Sequence, residues 1–243
     1  MKAEQAQAAM RALPLADLDG IIGKGTVLIL APHPDDESLG CGGLIAECCL
    51  RERPPLVLIL TDGIGSHPRS QSYPPDRLRA TREAEARQAV AALGLTQDRI
   101  LFLGLPDRAA PHEGPDFGRA VAEIAARATE FGCTTIAAPW RHDPHGDHLA
   151  AHRIATAVAA VAHMRHIAYP VWGWTLPPDE SLEGGIDGFR LDIARHLPAK
   201  RRAIAAHRSQ HEGLITDDPT GFHLPAHFLA IFDRPYEVYL STP

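Results

Sequence analysis

Long hydrophobic runs are missing from this chain. Its longest aliphatic stretches, Val27 to Ala31 and Leu56 to Leu60, fall far short of the roughly 20 residues a membrane-spanning helix needs. Cysteine is scarce: Cys41, Cys48, Cys49 and Cys133 are the only four in 243 residues. None forms a C-x-x-C pair, and the adjacent Cys48 and Cys49 would close only a strained vicinal bridge, so all four read as reduced, small apolar residues of a cytoplasmic protein. Basic charge is neither in excess nor clustered. Lys and Arg number 24 against 30 Asp and Glu, a formal net charge of −6, which argues against a nucleic-acid footprint. Aromatic residues make up only 6% of the chain. The N-terminal run MKAEQAQAAMRALPLADLDG places Glu4 and several glutamines where a secretory signal needs apolar residues. It reads as a short amphipathic helix laid on the domain. With no basic amphipathic helix, no stable membrane association is expected.

What is present is ordinary globular material: 45% hydrophobic and 22% charged. A chain this long buries about 70–75% of its unfolded surface and needs no disulfide staples. Histidine is the exception, at 14 residues. Imidazole is the commonest metal ligand and the acid/base of neutral pH.

Short Leu- and Val-rich runs alternate with longer Ala/Arg/Glu-rich segments of helical period, the mark of βαβ units and a parallel sheet. Strands are predicted at Thr26–Ala31, Leu56–Leu60, Ile100–Leu103, Thr134–Ala138, His166–Tyr169, Gly188–Ile193 and Tyr236–Leu240. Helices are predicted at Ser38–Leu50, Pro75–Leu93, Asp116–Phe131, Asp147–Ala162 and Arg195–Gln210. No repeat or linker divides the chain. The reading is one α/β domain over 1–243, Rossmann-like, with a mostly parallel sheet flanked by helices. Residues 1–25 form an N-terminal helical extension and 171–243 a less regular C-terminal cap.

In open parallel sheets the ligand crevice lies beyond the carboxyl ends of the strands. Each of the first four strands is followed there by chemically able residues: His33-Pro-Asp35-Asp36-Glu37-Ser38, Thr61-Asp62-Gly63, Pro106-Asp107-Arg108, and Arg141-His-Asp-Pro-His145-Gly-Asp147-His148. His33 and Asp36, one turn apart at a strand-to-helix junction, suit two ligands of a catalytic metal, and His148 suits a third, leaving a position for water. Asp35, pointing to the other side, suits the base that takes a proton from that water. His145 suits an acid, or a protonated stabiliser of a developing oxyanion.

Plainer explanations stand beside these. Asp35, Asp36 and Ser38 are good helix N-caps, as is Asp147. His152 reads as packing on its helix, and His142 and Asp143 as loop residues. Trp140 could stack on a sugar but is more simply a packed aromatic. Gly40-Cys-Gly42-Gly43 lacks either nucleotide-binding pattern, so its small residues suit close helix-to-strand packing. Arg77, Arg79 and Arg82 with Glu83 and Glu85 read as a solvated helical face.

The run Val27–Gly43 (VLILAPHPDDESLGCGG) together with His145–His152 resembles the PIG-L/LmbE-like zinc-dependent N-acetylglucosaminyl de-N-acetylase family. Thr61-Asp-Gly63, Arg82-x-x-Glu85, Leu103-Gly-Leu-Pro-Asp107 and Lys200-Arg-Arg-Ala-Ile-Ala-Ala-His207-Arg-Ser209-Gln210 extend the resemblance over roughly residues 26–211, in the family's order. The resemblance implies a Rossmann-like fold and removal of acetyl from an N-acetylated amino sugar. It implies His33, Asp36 and His148 as metal ligands, Asp35 as general base and His145 as the catalytic histidine. Asp147 would orient His145, and Ser38, Arg82 and Asp107 would touch substrate.

The expected function is therefore zinc-dependent hydrolysis of an N-acetylglucosamine-type conjugate to acetate and free amine. Iron(II) or cobalt would suit the same donors. The expected partner is a small amino-sugar substrate, with no nucleic acid, and nothing in the sequence indicates an oligomeric state. Two alternatives remain at this level. One is a metal-dependent amidase acting on another amide such as a thiol conjugate. The other is a non-catalytic Rossmann-like binding protein for a sugar or metabolite.

Overall fold

The structure is a computed structural model, which describes residues 1–211 and 213–242. The strands are β1 (Leu15–Ala16), β2 (Thr26–Ala31), β3 (Leu56–Thr61), β4 (Ile100–Leu105), β5 (Cys133–Pro139), β6 (Arg165–Tyr169), β7 (Gly188–Asp192) and β8 (Tyr236–Ser241). They form one sheet in the order β1-β7-β8-β6-β5-β2-β3-β4. From β6 through β4 every pairing is parallel, while β8 runs antiparallel to both β6 and β7. Strands buried on both faces read as continuous apolar runs, and β3 is buried at all six positions.

The two-residue period of the strands feeds two cores. Val27, Ile29 and Ala31 face one cluster with α3 (Asp36–Leu50) and α4 (Pro75–Ala92). Leu28 and Leu30 face the other, with α5 (Gly114–Glu130) and α6 (Gly146–Ala162). Each fully buried Leu or Ile there contributes about 1.5–3 kcal/mol. Helix α3 is not amphipathic, since its residues from Asp36 to Cys48 are all buried. Its small residues make that burial feasible. A Cβ on Gly40 would sit 2.3 Å from the Tyr169 ring, and one on Gly43 would sit 2.3 Å from Ile193 Cγ2. The glycine-rich run therefore serves close packing, as expected.

The N-terminal segment forms α1 (Ala3–Ala12), which lays Ala3, Ala6 and Met10 on a third cluster holding Trp140, Leu176 and Leu240. It continues into β1 and α2 (Leu18–Ile22), so the extension adds an edge strand that the sequence pattern did not reveal. The C-terminal region is less a cap than expected, because β7 and β8 enter the main sheet. The single helix predicted at Arg195–Gln210 is two, α7 (Leu197–Ala206) and α8 (Arg208–His211), parted at His207 with φ −80° and ψ 55°. A last short helix, α9 (Ala226–Leu229), precedes β8. All four cysteines are free thiols, and burial raises Cys49 to about 11. Among the described residues no helix is long and apolar enough to cross a membrane.

Candidate metal centre and active-site cleft

Chain order reverses between β2 and its neighbour β5. Strands β3 and β4 continue on one side of β2, and β5 and β6 lie on the other. A crevice opens at such a switch point, beyond the carboxyl ends of the strands. The β2–α3 turn brings His33, Asp35 and Asp36 to it, and the β5–α6 connection brings His145, Asp147 and His148. A cavity of about 300 Å³ lies there. His33, Asp35, Asp36, Arg82, Asp107 and His145 line its polar side, and Leu39, Trp172, Phe222 and Leu224 its apolar side.

Asp36 is the hub of the cluster. Its Oδ2 accepts the His33 backbone N–H at 3.0 Å and lies 3.2 Å from both His33 Nδ1 and His148 Nε2. The His148 ring is held from behind, its Nδ1 2.9 Å from Asp143 Oδ2. Because that bond puts the proton on Nδ1, Nε2 presents a lone pair to the Asp36 carboxylate. His148 Nε2 is buried without a hydrogen-bond partner. Two acceptor atoms facing each other in a dry site are stable only with a cation or a proton between them.

The electrostatics agree. Burial opposes charge on His148, but Asp36 and Asp143 raise it to about 9. Burial likewise opposes charge on His33, yet Asp107, Asp147 and Asp36 raise it well above the ordinary histidine value. Burial pushes Asp36 upward, but His148 and His33 hold it well below the usual carboxylate range. Nitrogens of His33, His145 and His148 lie within 4.8 Å of one another, as do donor atoms of His33, Asp107 and Asp147. A divalent cation fits the donors around Asp36 Oδ2, where carboxylates already favour positive charge on the His33 and His148 imidazoles.

Asp35 sits at the N-cap position of α3 but makes no capping bond, so capping does not explain it. Its carboxylate instead meets Arg82 Nη2 at 3.1 Å. Burial raises Asp35 to about 7 against the opposing pull of Arg82. Arg82 is not on a solvated face. It is 3% exposed, and its guanidinium also donates to Gly63 O and Pro34 O. Glu85, one turn on, is buried too and receives the Ser209 N–H and Oγ–H.

Three expectations need correction. Asp147 does not orient His145 with its carboxylate. That group accepts the N–H of Arg108 and Ala110 and lies 3.0 Å from His33 Nε2. What meets His145 is the Asp147 backbone N–H, which donates to Nδ1 at 3.2 Å, so His145, not Asp147, caps α6. An Nδ1 that accepts leaves a neutral ring with its proton on Nε2, and burial with His33 and His148 nearby lowers its pKa. The imidazolium expected there is a neutral N–H donor. Ser38 does not line the cavity. It is fully buried, and its Oγ donates to Glu37 Oε1 at 2.6 Å.

Arg82 and Asp107 do line it, with Asp107 Oδ2 accepting the Gly65 N–H at 2.8 Å. His152 turns away, 3.0 Å from Pro139 O and with its ring against His166. His142 contacts Glu183 O, and Trp140 is buried against the N-terminal helix. Sequence reasoning missed Asp143, the C-terminal wall residues Phe222 and Leu224, and the aromatic at the cleft, which is Trp172 rather than Trp140. Only Asp143 had a signal, because a metal-binding imidazole calls for a carboxylate on its other nitrogen.

Fold and site together define an α/β enzyme with a cation-competent histidine–carboxylate cluster at the strand ends. Residues 28–159 match the family model described as PIG-L: GlcNAc-PI de-N-acetylase. The chain belongs to this family and is an enzyme of its deacetylase class. Over 79% of its length it is 27% identical to a probable N-acetyl-alpha-D-glucosaminyl L-malate deacetylase 2 of Bacillus anthracis, covering 84% of that protein. It is also 27% identical to the 1D-myo-inositol 2-acetamido-2-deoxy-alpha-D-glucopyranoside deacetylase of Rhodococcus erythropolis, over 80% of this chain and 83% of that one. Among solved structures, the N,N'-diacetylchitobiose deacetylase of Pyrococcus horikoshii shares the fold, with a TM-score of 0.67, 18% identity and coverage of 99% and 91%.

Proposed function

We propose that this chain hydrolyses the acetamide of an N-acetylated amino sugar, of the N-acetylglucosamine-conjugate type, to acetate and the free amine. The observation that carries the reading is a buried carboxylate, Asp35, lining the same cavity as Asp36, whose Oδ2 lies 3.2 Å from the unpartnered His148 Nε2 behind it. The named substrates of the two relatives above, both acetylated glucosamine derivatives, support the substrate class.

His33, Asp36 and His148 would hold a zinc ion. When bound, such an ion supplies Lewis-acid polarisation and a more acidic water. The chain's own groups do the rest. Asp35, raised by burial to about 7, is matched to accept a proton from water near neutral pH as the water oxygen bonds to the acetyl carbon. Arg82 holds that carboxylate by one Nη2 bond, leaving its other oxygen for the water. His145 Nε2–H, fixed by the bond at Nδ1, donates to the oxyanion developing on the acetyl oxygen. As the C–N bond breaks, Asp35 returns the proton to the leaving nitrogen. The apolar wall of Trp172 and Phe222 keeps bulk water from the reacting carbon.

The test is metal content with activity. Protein reconstituted with zinc, and in parallel with iron(II) and cobalt, then desalted, should hold about one ion per chain and deacetylate a member of an N-acetylglucosamine-conjugate panel. His33→Ala should lose the ion. Asp35→Asn should keep it and lose about 10²–10⁴ in rate. A parental chain that retains no ion, or an Asp35→Asn variant at the parental rate, sinks the proposal.

A further inference from the structure

Asp35 holds a backbone conformation that its own reaction does not require, with φ 139° and ψ −30°. Four non-glycine residues among those described have positive φ. Glu52, Arg108 and His163, at 56°, 64° and 53°, lie in the ordinary left-handed well, and Asp35 lies well outside it. Such strain persists only where surrounding contacts over-determine it. Asp is also among the best helix N-caps. In the extended conformation usual for that position, its carboxylate would turn back onto the first amides of α3 and leave the cleft.

A buried relay opposes that relaxation. The Asp35 N–H donates to Glu37 Oε2 at 2.9 Å. Glu37 is fully buried, and its other oxygen, Oε1, receives Ser38 Oγ–H at 2.6 Å and lies 2.9 Å from His207 Nε2. His207, 170 positions along the chain and 1% exposed, occupies the break between α7 and α8. There its N–H donates to Ile204 O and its carbonyl accepts from Gln210 N–H, so the ring is anchored by backbone.

We propose that Glu37, anchored by His207, is a positioning residue that pins the Asp35 amide so that the Asp35 carboxylate faces the cleft instead of capping α3. This rests on the reading of Asp35 as general base. It explains why the helix breaks at His207, since an unbroken α7 would have to pass without the turn that seats this ring.

The experiment uses the reconstituted holoenzyme. Glu37→Leu removes the acceptor and should lower kcat about 10²-fold with KM within twofold, the loss expected for displacing a catalytic group by about an ångström. Glu37→Gln should recover most of the rate, because its amide oxygen still accepts from Asp35 and His207 can turn its tautomer. His207→Leu tests the same clamp from the other end, should Glu37→Leu not fold. The decisive comparison is Glu37→Leu in an Asp35→Asn background, where it should leave the residual rate unchanged. An equal further loss there, an unchanged kcat in the single variant, or loss of the bound ion from it overturns the proposal. A crystal structure of Glu37→Leu decides independently of any substrate. Asp35 returned to negative φ supports the clamp, and Asp35 kept near φ 139° refutes it even if the deacetylase reading stands.

Discussion

Replacing Asp143 by Asn should weaken metal binding although Asp143 is no ligand. The side chain is fully buried and acts only as an acceptor. Oδ2 serves His148 Nδ1 at 2.9 Å and the N–H groups of Val171 and Trp172 at 3.1 Å, while Oδ1 serves the Gly173 N–H at 2.6 Å. Asn has one acceptor oxygen and one donor NH2. If the NH2 faces Gly173, two donors collide. If it faces His148, Nδ1 must become the acceptor, the imidazole proton moves to Nε2, and the lone pair that would bind the ion is lost. Either way the segment carrying Trp172 loses a bond. Supporting carboxylates of this kind are worth about 10–100-fold in metal affinity, or about 1.4–2.8 kcal/mol at 1.4 kcal/mol per tenfold. Competition against a chromogenic zinc chelator measures this directly, with a thermal melt of both proteins as the control. A variant that binds zinc with the parental Kd would refute the argument that Asp143 sets the His148 tautomer.

Two further outcomes concern stability. Lys200 and Glu237 form a buried pair at 2.5 Å, 2% and 4% exposed, and Glu237 also takes the N–H of Gly43 and Leu44. Lys200→Met should cost about 3 kcal/mol, the low end for a broken buried pair because those donors remain. Lys200→Met/Glu237→Leu should cost more still, because the Gly43 and Leu44 N–H groups and the Tyr239 hydroxyl then lose their buried acceptor, and a double variant as stable as Lys200→Met would contradict this. Burial pushes His166 down to about 3, with His152 adding to the effect. A folded pKa below the unfolded one means full stability above about pH 6.5 and progressive loss as pH falls towards 3. His166→Gln should therefore flatten the stability slope between pH 6.5 and 5, a difference of up to about 2 kcal/mol, and an unchanged slope would be the contrary result.

Much of the fold was legible because its signals are local. Each buried strand announces itself as a short Leu/Val run, and four of them end in residues that can do chemistry. A parallel sheet forces those ends to one rim, so His33, Asp36, Asp107 and His148 could be brought together on paper. The helix at Arg195–Gln210 was misread because its period runs through His207 unbroken, and only the pull of Glu37 from 170 residues away shows why it must stop there. Arg82 was misread as solvated for a similar reason: a helix face is known only once its neighbour is.

The sequence alone determined a mostly parallel sheet, seven of its eight strands in their order along the chain, and the types of residue delivered to the crevice, because period and chain order are properties of the chain itself. Tertiary structure decided which carboxylate meets which imidazole. Asp143 backs His148, the Asp147 carboxylate meets His33 rather than His145, an amide rather than a side chain sets the His145 tautomer, and Ser38 faces Glu37 rather than the cavity. Those choices depend on backbone angles at single residues, φ at Asp35 above all, and on partners far along the chain. Neither leaves a trace in composition, period or spacing.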